Sequence, residues 1–227
     1  YTTLFRSTNG NSLGTISNSG ILSKPSVSDN GSDIIFVGKD NKIHYIFIDW
    51  SKNPVTPQEQ IIGNAPIWRN AVISKDGLKI AAVTIEEINE IEVFYFGGQT
   101  PTQSTFELYN PTYTQGISTG YVNYADAMEF DINGEYIMYD AENEITSTTD
   151  GSISYWDIGF IKVWNNASNS FSLGKVDKLF SSLPSGVSIG YPTFSKNSPH
   201  IIAFDYIDEN DEVSIVGVNT EKGDVKL

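Results

Sequence analysis

The residues that could do chemistry are few, and their spacing argues against most reactions. There is no cysteine, so neither a thiolate nor a disulfide is on offer, and an imidazole base could come only from His44 or His200. Gly186-Val187-Ser188-Ile189-Gly190 fits the G-x-S-x-G pattern of a hydrolase nucleophile. That elbow needs a helix directly behind the serine, whereas Tyr191-Pro192 follows here, and proline opposes a helix running through. A loop is therefore the expected role of this motif.

Carboxylates are the other candidates. Asp140, Glu142 and Glu144 alternate in one stretch with Asp150 close behind, and Asp208, Glu209, Asp211 and Glu212 crowd another. Ca²⁺ needs several oxygens around one point, and neither stretch has EF-hand spacing or its glycine. Solvated acidic turns are expected, with Asp140, Glu142 and Glu144 as the weak metal candidates and no cofactor. Asp126 and Glu129 are the place to look for a catalytic carboxylate pair, although along a regular strand residues three apart face opposite ways.

The elements that must position these groups come from a repeat. Trp68-Arg69-Asn70-Ala71-Val72-Ile73-Ser74-Lys75-Asp76-Gly77 runs into the apolar stretch Lys79 to Thr84. The same pattern returns as Lys24-Pro25-Ser26-Val27-Ser28-Asp29-Asn30-Gly31, Ala127-Met128-Glu129-Phe130-Asp131-Ile132-Asn133-Gly134 and Tyr191-Pro192-Thr193-Phe194-Ser195-Lys196-Asn197-Ser198. Aligned on the turn, Val27, Ile73, Phe130 and Phe194 share one column, and Ile34, Ile80, Ile137 and Ile201 another. Asn or Asp followed by Gly is a hairpin signal, since both tolerate the backbone that a tight turn demands, and the Ser or Asp opening the turn can cap it. The interval from one turn to the next leaves room for four strands, and four strands per repeat define the blade of a β-propeller.

Pro192-Thr193-Phe194-Ser195 and Ser74-Lys75-Asp76-Gly77 resemble the Pro-x-Phe-Ser-x-Asp-Gly repeats of the TolB-like propellers, a family also similar to the gating propellers of prolyl oligopeptidases. The expected fold is all-β: a propeller of four-stranded antiparallel blades with four full repeats plus a half blade. The boundaries are 1–20 for the outer half of a blade, with Asn9-Gly10 as its turn, then blades at 21–63, 64–110, 111–178 and 179–227, all in one domain; in the third of these the acidic run Asp140 to Glu144 reads as part of a long connection and Ser170–Lys175 as the outer strand. Four blades and a half leave an incomplete or open ring. Further blades from the parent chain or a second chain are therefore expected to complete it.

Composition removes other functions. The formal charge is −14, from 28 acidic and 14 basic side chains without a basic cluster, so phosphate backbones are repelled and nucleic acid is excluded as a partner. No apolar run of about 18 residues exists to span a membrane as a helix. The TolB-like resemblance implies a periplasmic or otherwise extracytoplasmic interaction module.

In propellers the stretches ahead of each first strand lie at one mouth of the central channel. Here they carry Lys24, Trp68, Arg69, Tyr121, Tyr124, Asp126 and Tyr191, suited to a protein, peptide or glycan through stacking and charge-assisted hydrogen bonds. Packing between blades is the competing role for Trp68, Tyr124 and Tyr191. The expectation is therefore a non-catalytic binding scaffold and not an enzyme, with no catalytic residue assigned. The alternative is the propeller of a larger hydrolase, either a prolyl-oligopeptidase-like gate or a carboxylate-based glycosidase or lyase.

Overall fold

A computed structural model describes residues 4–6, 12–15, 17–52, 54–112, 120–147, 151–196 and 198–226. The chain is a β-propeller of four four-stranded antiparallel blades. Blade 1 contains β3 (Ser26–Val27), β4 (Asp33–Val37), β5 (Ile43–Phe47) and β6 (Gln58–Gly63); blade 2 contains β7 (Trp68–Ile73), β8 (Lys79–Thr84), β9 (Glu90–Tyr95) and β10 (Thr102–Glu107). Blade 3 contains β11 (Tyr121–Phe130), β12 (Tyr136–Ser147), β13 (Gly151–Lys162) and β16 (Val176–Lys178); blade 4 contains β17 (Ser188–Ser195), β18 (Ser198–Ile207), β19 (Val213–Asn219) and β20 (Asp224–Lys226). Ahead of them β1 (Leu4–Arg6) pairs with β2 (Ser12–Thr15) as a separate ladder, where a half blade was expected; the Asn9-Gly10 turn lies outside the described residues.

The turn chemistry explains why the repeat is visible. At three of the four turns the N–H three residues on closes back on the carbonyl of the residue that opens it: Gly31 on Ser28, Gly77 on Ser74 and Gly134 on Asp131. The opening side chain then caps the strand behind it, Ser28 Oγ accepting from Asp33 N at 3.1 Å, Ser74 Oγ from Lys79 N at 2.9 Å and Asp131 Oδ1 from Tyr136 N at 2.9 Å. Only the glycines carry positive φ, at 70, 75 and 64°; Asn30, Asp76 and Asn133 do not, so their part is side-chain bonding rather than the left-handed backbone. Each turn also meets its neighbour. A Cβ at Gly77 would lie 2.9 Å from Asp33 of blade 1, and one at Gly134 would lie 2.9 Å from Lys79 of blade 2. Asp33 and Lys79 hold the same repeat position.

Apolar residues on both faces of the inner strands close the seams, because a blade is covered on two sides. Ile35, Val37 and Ile43 of blade 1 pack on Ala71, Ile73, Ile80 and Ala82 of blade 2. Val72, Val83, Ile91 and Val93 of blade 2 meet Val122, Ala125, Phe130 and Ile137 of blade 3. Met138 and Ile158 of blade 3 meet Ile189, Ile202, Phe204 and Val216 of blade 4. The face of blade 4 turned away from blade 3 keeps Ile201, Val213 and Ile215 exposed.

Blade 3 departs from the expected strand limits. The acidic stretch read as a connection is the second half of β12, zipped to β13 from Tyr136↔Lys162 to Ser147↔Gly151; Asp150 lies outside the described residues. Its outer strand is Val176–Lys178 rather than Ser170–Lys175, because Ser170–Phe171 (β15) instead pairs with Trp164–Asn165 (β14). Aromatic packing takes over there: the Trp164 ring lies tilted against Tyr95 of blade 2 at 4.4 Å and edge-on to Phe171 at 5.1 Å.

Candidate functional site

The inner strands of all four blades surround one cavity of about 590 Å³. Lys24, Ser26 and Val27 of blade 1, Arg69, Asn70 and Lys75 of blade 2, Asp126 and Glu129 of blade 3, and Tyr191 and Pro192 of blade 4 line it. Three of these strands are irregular where they reach it. Pairing slips between Trp68 and Asn70 in β7, between Ala125 and Met128 in β11, and between Gly190 and Thr193 in β17. The residues in the slips include Arg69, Asp126 and Tyr191, all of them cavity-lining. A bulge re-aims a side chain by breaking the two-residue alternation, and this is how Asp126 and Glu129, three apart in sequence, both come to line the cavity.

Cations and carboxylates are interleaved on this wall. Lys75 Nζ lies 3.3 Å from Glu129 Oε1, while Glu129 Oε2 accepts from Thr193 Oγ1 at 3.0 Å and from Phe194 N at 2.9 Å. Glu129 thus ties three blades together and is fully engaged. Arg69 lies 4.5 Å over the Tyr124 ring and donates to the Ile85 carbonyl at 3.1 Å. Asn70 Nδ2 donates to the Asp126 carbonyl at 2.8 Å, carrying the wall from blade 2 to blade 3. No cation pairs with the Asp126 carboxylate among the described residues. Behind the wall Asp140 is buried, and burial first, then the charge of Asp126, push its carboxyl up to about 6.

Of the residues expected at the channel mouth, Lys24, Arg69, Asp126 and Tyr191 line the cavity. Trp68 lies apart, buried in the seam between blades 1 and 2 and edge-on to Phe94 at 6.0 Å. Tyr124 is half-buried between Arg69 and Trp156, and Tyr121 is exposed at the start of β11 with its hydroxyl on Glu144. Lys75 and Asn70 were absent from the expected set; the only signal for them was their adjacency to the repeat turn and to Arg69. Among the described residues no group of three His, Cys, Asp or Glu side chains gathers as a metal site. Asp140 is occupied by backbone N–H groups and Glu144 by Ser152 and Tyr121, which leaves the alternating acidic run dispersed along β12.

Ser188 opens a strand, and its Oγ accepts the Trp156 N–H at 3.1 Å across the seam between blades 3 and 4. His44 is buried in blade 1 between Asp40 at 3.0 Å and Glu59 at 2.8 Å, so neither nitrogen is available to a serine in blade 4. Its contact is the main factor holding the Asp40 carboxyl below its ordinary value. At Glu59 burial pulls the other way, but hydrogen bonds from Ser19, Ser17 and His44 prevail and hold that carboxyl low as well.

No family model matches this chain, and no curated protein matches its sequence. Solved structures do match. The periplasmic gluconolactonase of Pseudomonas aeruginosa is similar at TM-score 0.53 and 13% identity over 99% of this chain and 61% of its own. A candidate 6-phosphogluconolactonase from Bacteroides fragilis is similar at TM-score 0.52 and 12% identity over 99% and 62%. A puromycin-hydrolyzing peptidase of Mycobacterium tuberculosis is similar at TM-score 0.52 and 12% identity over 92% and 31%. The chain thus spans less than two thirds of each of these relatives, and the likeness shows the β-propeller fold. It also corrects two expectations: similar propellers carry the names of enzymes, so the fold does not support a non-catalytic scaffold or the exclusion of an enzyme.

Proposed function

We propose that this chain is a hydrolytic propeller whose central cavity takes a small polar cyclic ester of the lactone class. The observation that carries the reading is the cavity itself, where bulged inner strands bring Asp126 together with Lys24 and Arg69. The named activities of the similar lactonases support it. So does the placement of one of them in the periplasm, which with the TolB-like repeat pattern favours an extracytoplasmic location for this chain.

In this mechanism Asp126 acts as general base, because it is the cavity carboxylate without a cationic partner among the described residues, whereas Glu129 is consumed by Lys75, Thr193 and Phe194. Water attacks the ring carbonyl as its proton passes to Asp126. The oxyanion forms beside the positive charges of Lys24 and Arg69, which stabilise it more than they stabilise the neutral ester. Collapse breaks the ring C–O bond, and the departing oxygen takes the proton back from Asp126. The product is a hydroxy acid, which ionises at neutral pH and releases a proton.

That proton is the readout. In a pH-stat with δ-gluconolactone, the protein is expected to consume base faster than spontaneous hydrolysis does, and Asp126→Asn is expected to lower the rate by roughly 10²- to 10⁴-fold. A wild-type rate equal to the spontaneous one, across a panel of sugar lactones, overturns the reading.

A further inference from the structure

Asp140 is a charged side chain deep in the seam between blades 3 and 4, and the hydrolytic step does not use it. It lies on β12, 2% exposed, and reaches two different inner strands. Oδ1 accepts the Ala127 N–H of β11 at 2.7 Å, and Oδ2 accepts the Tyr191 N–H of β17 at 2.7 Å. Both donors sit in bulges, Ala127 in the one between Ala125 and Met128 and Tyr191 in the one between Gly190 and Thr193. Ladder pairing is interrupted there, so these N–H groups would otherwise be unpaired in a buried seam, at a cost comparable to a lost hydrogen bond.

Two further features fit a carboxylate at this point. Tyr191 has φ of 50°, a backbone that a non-glycine residue adopts only when its surroundings hold it there. Next to it a Cβ on Gly190 would stand 3.1 Å from Asp140 Oδ2, so the glycine makes room for the oxygen. An acceptor-only group with two oxygens suits a site ringed by donors on two strands, whereas an amide would turn an NH₂ toward one of them.

We propose that Asp140 is a positioning residue of the central cavity: its carboxylate fastens the bulges of β11 and β17 together and so sets the direction in which Asp126 and Tyr191 enter the cavity. Each of those residues lies in a bulge that Asp140 holds, so a change at Asp140 moves both while blade 1 stays in place. The placement holds whatever the cavity binds and stands apart from the hydrolase reading. The titratable neighbours are Asp126 on β11 and Tyr191 on β17, and burial with the Asp126 charge sets the carboxyl's midpoint at about 6.

The test is an NMR titration of the isotopically labelled full chain, following the Asp140 carboxyl carbon together with the Ala127 and Tyr191 amide protons. The expected result is that both amides move with the Asp140 carboxyl, sharing its midpoint. In Asp140→Asn both lose that response and shift upfield, and the Asp126 carboxyl carbon and Tyr191 ring resonances move while those of Pro25 and Ser26 stay. Gly190→Ala, which presses on Oδ2 alone, is expected to perturb the Tyr191 amide more than the Ala127 amide. Amides that stay still while the Asp140 carboxyl titrates overturn the proposal. So does a folded Asp140→Asn protein with unchanged Asp126 and Tyr191 resonances. Should that variant fail to fold, the wild-type titration and Gly190→Ala still decide.

Discussion

Blades 1 and 3 close onto their neighbours at the same repeat position with different chemistry. Ser26 Oγ accepts the Ile73 N–H of blade 2 at 3.1 Å, and Glu129 Oε2 accepts the Phe194 N–H of blade 4 at 2.9 Å. Ser26 and Glu129 are equivalent in the repeat, as are Ile73 and Phe194. One seam is held by a neutral hydroxyl and the other by a carboxylate that also engages Thr193 and Lys75. The same contrast separates the turns, opened by Ser28 in blade 1 and by Asp131 in blade 3. Blade 3 buries Asp140 and Asp157 and half-buries Asp131, and desolvation is the main factor raising all three carboxyls, whereas in blade 1 contacts with His44 help hold Asp40 and Glu59 low. The lesson is that one backbone geometry accepts either a hydroxyl or a charge at a seam.

The sharpest way to break the contrast is Glu129→Ala. It leaves the Phe194 N–H, the Thr193 hydroxyl and the Lys75 ammonium without their partner, and a loss of about 3 to 4 kcal/mol is expected in chemical denaturation. A loss no larger than that of Ser26→Ala would show that the carboxylate adds nothing over the hydroxyl.

Acid should distinguish the halves next. Asp140 has its folded-state carboxyl raised from 3.8 to about 6, so the native state binds the extra proton between those values. Its contribution to stability is therefore largest below the unfolded value and is lost as pH rises through about 6, by up to about 3 kcal/mol. Asp40 and Glu59 act in the opposite sense: their stabilisation is present above their ordinary values and is lost as pH falls through the lowered ones. Subtracting the stability profile of Asp140→Asn from that of the wild type isolates the first effect. A flat difference across the acid range would refute it.

Smaller effects refine the comparison. Gly134→Ala places a Cβ at φ of 64° and 2.9 Å from Lys79 Cε, and about 2 kcal/mol of destabilisation is expected. Gly31→Ala meets the same left-handed backbone, but its nearest neighbour is Trp50 Nε1 at 4.0 Å, so about 1 kcal/mol is expected by thermal melting. Ser26→Ala removes one neutral hydrogen bond at a seam, worth about 1 kcal/mol. Equal costs at the two glycines would mean that Lys79 gives way freely.

Much of the fold was legible because its signals are local. The Ser-x-Asn-Gly, Ser-x-Asp-Gly and Asp-x-Asn-Gly turns act within six residues, and the apolar runs Ile34 to Val37 and Ile80 to Val83 follow at once. The blade 3 outer strand was misplaced because Ser170 and Phe171 read as strand, while Trp164 draws them into a separate ladder against Tyr95. The cavity was half legible. Position ahead of the first strand pointed to Lys24, Arg69, Asp126 and Tyr191, but also to Trp68, whose ring turns into the seam between blades 1 and 2 and packs edge-on to Phe94. Glu129 was left doubtful because period-two alternation holds only where pairing is regular, and the bulge after Ala125 is a tertiary event.

By itself the chain of residues determined the four repeats, their hairpin turns and their four-stranded blades, because a turn glycine, its capping side chain and the strand behind it lie within hydrogen-bonding reach along the backbone. Only tertiary structure decided which carboxylates are buried, which seams carry charge and which side chains look into the cavity. Those properties depend on Asp140 meeting Tyr191 and on Glu129 meeting Phe194, residues that come together only when two blades pack.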